Sequence, residues 1–183
     1  MSLIAYLFPR QCILCSKVGY DICPDCFKSL IRTLPSCFVC KKLSHNSWSH
    51  NKCSDTHIQY FTGWYMSKEV EKIVEKKRTS GVYSLHEYLL KILIKKLNIE
   101  EELLDSKIYP ILSKNSSIEK INNHLTKLID NSNSSNDKLF LIGESLPKNF
   151  SVEQRGPLLK KSSRITILCL FESIQSKDSH HYY

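Results

Sequence analysis

The sequence predicts an α/β protein that carries a small zinc module at its N-terminal end, and three observations carry that prediction. Seven of the eight cysteines lie between Cys12 and Cys53, in pairs separated by two residues. From residue 58 onward, short apolar runs of strand character mix with helical patterns, which is the order of a parallel sheet with crossover helices. The composition shifts at the same place, from a cysteine-rich, basic stretch to a cysteine-poor chain. The expected organisation is a metal module over residues 1–57, an α/β domain over 58–175 and a polar tail over 176–183.

The metal pairs are Cys12 with Cys15, Cys23 with Cys26, Cys37 with Cys40, and an altered fourth pair, His50 with Cys53. A C-x-x-C pair sets two thiolates on one tight turn, so both sulfurs reach a tetrahedral Zn²⁺ at about 2.3 Å, and two pairs close a structural site. Eight ligands therefore serve two ions. Sequential pairing joins Cys12, Cys15, Cys23 and Cys26, then Cys37, Cys40, His50 and Cys53. A cross-brace linking the first pair to the third uses the same ligands, and spacing leaves both open. His50 repeats the pair spacing, whereas His57 would make a C-x₃-H unit with Cys53 and stays a second candidate for the eighth ligand. His45 reads as a surface residue.

Other uses of these cysteines fit less well. A disulfide framework needs an oxidising compartment and usually a secretory signal. The apolar run at residues 3–8 is too short for one, lacks a preceding basic segment, and leads directly into Pro9-Arg10. Thioredoxin-like chemistry needs a C-x-x-C where a strand opens into a helix, and nothing before residue 53 has that form. No run of 18 or more apolar residues occurs, so no transmembrane helix is expected. The expected setting is a reducing cytoplasm.

Charge adds a weaker constraint. Of the net charge of +8, the first 53 residues contribute +5, from seven basic and two acidic residues. Seven thiolates and two Zn²⁺ together lower that +5 by three, so charge alone argues only moderately for a nucleic-acid partner.

The elements follow in order. Leu3, Ile4, Leu7 and Phe8 stand at helical spacing, and Pro9 ends that turn. Phe27, Leu30, Ile31 and Leu34 at i, i+3, i+4 and i+7 predict a short amphipathic helix between the knuckles, supplying much of the module's apolar core. Ser67 is an N-cap candidate for a helix with Val70, Ile73 and Val74 inside and a stop at Thr79-Ser80-Gly81. Val82, Leu85, Leu89, Ile92, Leu93 and Leu97 mark a longer helix whose Lys91, Lys95 and Lys96 face solvent. Residues 107–112 form a short strand candidate. Ser116 and Glu119 fit a capping box before a helix with Ile118, Ile121, Leu125, Leu128 and Ile129 as its apolar face. After a polar loop at 131–137, residues 138–143 and 164–171 are buried-strand candidates, with Cys169 as a small core residue.

One series of motifs resembles a known family. Leu7-Phe8-Pro9-Arg10-Gln11-Cys12, the three further metal pairs, the aromatic segment ending at Tyr65, and the helix over 70–81 with Lys76-Lys77-Arg78 resemble the ComF family over roughly residues 3–97. The resemblance implies a double zinc ribbon joined to a type I phosphoribosyltransferase-like parallel sheet, and a role around imported single-stranded DNA. Further on, Ile108-Tyr109-Pro110-Ile111 resembles the early Val-Pro strand of that family, and residues 138–145 the strand leading into its ribose-phosphate loop. The loop itself departs from the family. The family has two adjacent acidic residues and a Thr-Thr-Gly turn that hold the ribose hydroxyls and the 5′-phosphate. Here Gly143-Glu144-Ser145-Leu146-Pro147 keeps one acid and no phosphate cradle. The resemblance thus implies a shortened, degenerate transferase domain with no catalytic residue to assign, and Glu144 is expected as a loop carboxylate.

Three functions remain in view. A non-catalytic single-stranded DNA binder would set Lys41, Lys42 and Lys52 against phosphates and stack bases on Phe38 and Trp48. A protein–protein adaptor in a DNA-handling complex would use the aromatic cluster of Tyr60, Phe61, Trp64 and Tyr65. An active phosphoribosyltransferase would need a phosphate loop of another form.

Overall fold

Residues 164–172 are apolar on both faces, and such a strand must be covered on both sides. In the computed structural model they form the second strand of a four-stranded parallel sheet. The residues described are 9–53, 57–80, 84–104, 106–111, 116–129, 138–147, 150 and 164–172. The strands are β1 (His57–Tyr65), β2 (Lys107–Pro110), β3 (Lys138–Gly143) and β4 (Arg164–Glu172), in spatial order β1-β4-β3-β2. The helices are α1 (Pro24–Ser29), α2 (Lys68–Ser80), α3 (Ser84–Leu97), α4 (Glu100–Leu104) and α5 (Ser116–Ile129). The helix expected at 1–8, the loop at 131–137 and the tail at 176–183 lie outside the described residues.

The parallel α/β architecture agrees with the sequence pattern. Val70, Ile73 and Val74 of α2, Leu85, Leu89, Leu90 and Leu93 of α3, and Ile121 and Leu125 of α5 share one cluster with Phe140, Ile142, Leu168 and Leu170 of the sheet. The Ser67 hydroxyl accepts from the Val70 N–H at 3.4 Å, the expected N-cap. The opposite face joins Ile58, Tyr60, Leu139, Leu141, Ile165, Ile167 and Cys169, with Phe38, Leu146 and Phe150 packed against it.

Two expectations are corrected. The helix foreseen through Leu34 stops at Ser29, and Ile31 and Leu34 are exposed. Competition for backbone partners explains the early stop. The Ile31 carbonyl accepts from the Tyr65 N–H at 2.9 Å, and the Thr33 N–H donates to the Gly63 carbonyl at 3.3 Å, so the chain runs extended to cover the edge of β1. In α5, Leu128 is exposed while Asn122 and Thr126 are buried beside Ile121 and Leu125. The inward face is rotated toward Asn122, whose side chain has partners beside the sheet that are described below. The Thr126 hydroxyl donates back to the Asn122 carbonyl at 2.9 Å within the helix.

The segment rich in Tyr, Phe, Thr and Trp, placed only as a boundary region by sequence, is strand β1, and its composition is that of a strand. Side chains along a strand should alternate between faces. In β1, Ile58 and Tyr60 lie in one cluster and Phe61 in the other, but Trp64 joins Phe61 where alternation would oppose them. In β4 the same break occurs: Cys169 and Leu170 alternate, and Phe171 then repeats the side of Leu170. Both strands slip at the same register, between the Thr62–Cys169 and Trp64–Phe171 pairs. A Cβ on Gly63 would sit 2.8 Å from the Leu170 carbonyl oxygen, a backbone atom that cannot swing away. Gly63→Ala is therefore expected to cost about 1–3 kcal/mol, read as a lower denaturant midpoint with zinc content unchanged. An unaltered midpoint would mean that the close approach is not required.

The slip places the ribbon. Trp64 meets Phe27 edge-on at 5.9 Å on the helical face, whereas Phe38 meets Tyr60 at 5.5 Å on the opposite face. The N-terminal module thus clasps the β1 edge, one half on each side. Among the described residues, no helix is long and apolar enough to cross a membrane.

Candidate metal centres

The module repeats one turn twice. Cys12 and Cys37 each begin a knuckle in which the residue four on, Ser16 or Lys41, donates its N–H back to the cysteine carbonyl, at 2.7 and 2.9 Å. The Cys12 and Cys37 N–H groups donate to the Lys17 and Lys42 carbonyls, both at 2.8 Å. Ser16 and Lys41 both have positive φ, 63° and 59°. Single bridges, Gln11 with Val18 and Ser36 with Leu43, close the two loops. The second pair of each half follows: Cys23 caps α1, with Pro24 at its first position, and His50 precedes a turn in which the Cys53 N–H donates to the His50 carbonyl at 2.8 Å.

These turns bring the ligand atoms together sequentially. The Sγ atoms of Cys12, Cys15, Cys23 and Cys26 form one group, and the Sγ atoms of Cys37, Cys40 and Cys53 with a His50 ring nitrogen form the other, all within 4.8 Å of one another inside each group. Cys15 and Cys23 sulfurs are 3.6 Å apart, near the roughly 3.8 Å edge of a tetrahedron with zinc–sulfur bonds of about 2.3 Å. His50 Nδ1 lies 3.3 Å from Cys40 Sγ and 3.9 Å from Cys53 Sγ. Its other nitrogen, Nε2, lies 3.1 Å from the Leu43 carbonyl. A carbonyl can only accept, so Nε2 carries the proton and Nδ1 turns a lone pair toward the thiols, the outer-shell arrangement of metal-bound histidines. His57 stands in β1, exposed, with its ring edge-on to Trp48 at 6.3 Å.

Electrostatics fit a cation at both centres. Burial raises the Cys12 thiol, but N–H donors from Cys23, Cys15 and Leu14 outweigh it and hold it down at about 6. Cys37 is likewise held down at about 6, where donors from Cys40, His50 and Val39 overcome burial. The partners move the other way. Cys26 is pushed well above the usual thiol range by the Cys15 and Cys23 thiols, and Cys53 up to about 11 by desolvation and then by Cys40 and Cys37. One sulfur in each group ionises readily and disfavours ionisation of the next, a conflict that Zn²⁺ eases by setting its +2 charge among the thiolates. All eight cysteines are free of disulfides.

Residues 3–56 match the double zinc ribbon domain family. No curated protein and no solved structure matches the chain. Two groups, one of four cysteines and one of three cysteines and a histidine, are consistent with two structural zinc ions in this double zinc ribbon. A closed four-ligand set keeps no open position for substrate, so the zinc supplies folding energy and rigidity.

The residues suggested for nucleic acid divide into two sets. Phe38 is half-buried against Tyr60 and, at 6.0 Å, Phe150. The Lys41 ammonium lies 4.1 Å from the Tyr60 ring centre and 3.6 Å from a Glu172 carboxylate oxygen. Trp48 is half-buried, with the Arg164 guanidinium 4.8 Å from its ring centre. Lys42 and Lys52 project into solvent. Three of the five are thus half-buried and already engaged with other residues of the chain.

Glu144, expected as a loop carboxylate, is fully buried at the carboxyl end of β3. Its carboxylate lies 3.2 Å from Nε2 of the equally buried His86 on α3. The Glu144 N–H donates to Asn122 Oδ1 at 2.8 Å, its carbonyl accepts from the Phe171 N–H at 2.8 Å, and the Asn122 amide donates to the Ile111 carbonyl. Sequence reasoning missed both His86 and Asn122. This set ties α3, α5, β3 and β4 together and presents no exposed carboxylate to a ligand.

Proposed function

We propose that the chain is a non-catalytic, zinc-stabilised binding protein of ComF type, in which residues 1–57 form the binding module, residues 58–175 the platform that braces it, and the bound partner is another protein. One observation carries this reading. Of the nine large apolar side chains exposed among the described residues, six belong to the ribbon module: Val18, Tyr20, Ile31, Leu34, Val39 and Leu43. Of the module's described aromatics, Tyr20 is the exposed one, whereas Phe27, Phe38 and Trp48 are half-buried against other parts of the chain. Single-strand binders stack bases on exposed aromatic rings, whereas protein interfaces bury aliphatic and aromatic side chains at a rim-enclosed centre. Free thiols grouped for zinc suit a reducing compartment.

Affinity capture tests this with wild type and a Val18→Ser, Leu43→Ser variant, each verified to hold two zinc ions. A defined partner retained by wild type and lost by the variant is the expected result. Equal capture by both overturns it. Lys42 and Lys52, both exposed, favour a second reading in which the ribbon contacts a nucleic-acid backbone. That reading requires single-stranded DNA binding that weakens steeply with salt and falls on substitution of both lysines by glutamine.

A further inference from the structure

A cleft of about 500 Å³ lies between the ribbon and the α/β sheet, a junction where ligand sites are common. Its lining includes Phe61, Trp64 and Leu93, the segment Arg32–Pro35 and the last turn of α3. Arg32 comes from the ribbon wall and Lys96 from the helix wall. Neither side chain makes a hydrogen bond or ion pair with a described residue. Glu102, the acidic residue of the lining, is already held by Arg164 at 3.1 Å.

We propose that this cleft is a binding site for a phosphate monoester carrying a flat apolar body, with Arg32 and Lys96 on the phosphate and the body over Phe61. A lysine in the last turn of a helix is ordinary, since it meets the negative end of the dipole. An arginine from another module lining the same cleft is not, because two cations sharing one cleft repel. Lys96 feels this: burial lowers its pKa first, and the Arg32 charge lowers it further. A ligand of charge between about −1.5 and −2 at pH 7 relieves the repulsion and matches both cations. Arginine adds the planar fork that grips two phosphate oxygens at once. The half-buried Phe61 ring, with Trp64 and Leu93 in the same lining, offers apolar surface that inorganic phosphate would not use.

The test is calorimetric titration of the full zinc-loaded chain with phenyl phosphate, beside inorganic phosphate and benzoate. Phenyl phosphate is expected to bind, with both other anions weaker by about tenfold or more, from the loss of the ring or of the second charge. Arg32→Gln and Lys96→Gln are each expected to weaken phenyl phosphate by about tenfold. Both positions are exposed, so unchanged circular dichroism and two zinc ions per chain exclude misfolding as the cause. Absent binding, equal binding of inorganic phosphate, or indifference to both substitutions overturns the proposal. Free thymidine 5′-monophosphate and a 5′-phosphorylated oligothymidine carry the same group, and the tighter of the two identifies its source.

Discussion

Removal of zinc is expected to unfold the ribbon and, with it, to loosen one edge of the sheet. Between residues 9 and 53 the buried apolar side chains beyond the cysteines themselves are Ile22 and Leu30. That is far too little burial to offset the ordering of more than forty residues. Metal binding at sites of this kind contributes on the order of 10 kcal/mol of folding free energy, so the metal-free module has no other source of stability of that size. The two centres should fail differently because the ribbon straddles β1. Cys15→Ser opens the first centre and releases Phe27 from Trp64; Cys53→Ser opens the second and releases Phe38 from Tyr60. In a Trp48→Phe background Trp64 is the remaining tryptophan, as the chain has two. Its emission should shift to the red in the first variant and stay nearly fixed in the second, while elemental analysis falls from two zinc ions to one in both. Acid acts in the same direction. The metal-free groups hold protons on thiols such as Cys26 and Cys53, whose pKa values are raised, and zinc must displace them. Binding therefore releases protons, and zinc is retained more tightly as pH rises and lost as pH falls. A chain that keeps its near-ultraviolet circular dichroism after full chelation would sink the argument.

The ribbon was legible because its chemistry imposes a spacing. Two thiolates on one knuckle need two intervening residues, and nothing in the remainder of the fold can alter that requirement. The choice between sequential and cross-braced pairing needed three-dimensional information, and so did His50 over His57; the Leu43 carbonyl that orients the His50 ring is not written in any spacing. In the second region, α2 and α3 were legible from long apolar periodicity, which tertiary contacts rarely overturn. The false extension of α1 shows the limit. Phe27, Leu30, Ile31 and Leu34 do have helical spacing, but a β1 edge with unpaired N–H and C=O groups outbids helix propensity in so short a segment. The inward His86 had a signal that went unused: His86, Leu89, Leu90 and Leu93 stand at i, i+3, i+4 and i+7, the same face that supplied the core leucines. A polar residue inside an apolar stripe asks for a buried partner, and Glu144 was the one acid left at the carboxyl end of β3.

Removing either member of that pair should cost the sheet about 3–5 kcal/mol, the usual penalty for leaving one partner of a buried pair behind. His86 and Glu144 are both inaccessible to solvent, with 3.2 Å between Nε2 and Oε2, so water cannot replace the lost contact. His86→Ala also removes the edge-on contact with Phe171 at 5.7 Å, which makes Glu144→Gln the cleaner probe because it keeps the shape and the backbone bonds to Asn122 and Phe171. Both single variants should unfold at clearly lower denaturant concentration while retaining two zinc ions, since neither residue belongs to either ligand group. The double replacement His86→Leu, Glu144→Met should cost less than the two single changes added together, because neither polar group then remains in the core without the other. Strict additivity would mean that the two residues are energetically independent despite their proximity. A Glu144→Gln chain with an unchanged midpoint would mean that a neutral amide serves at this position as well as the carboxyl group does, and would overturn the pair as a source of stability.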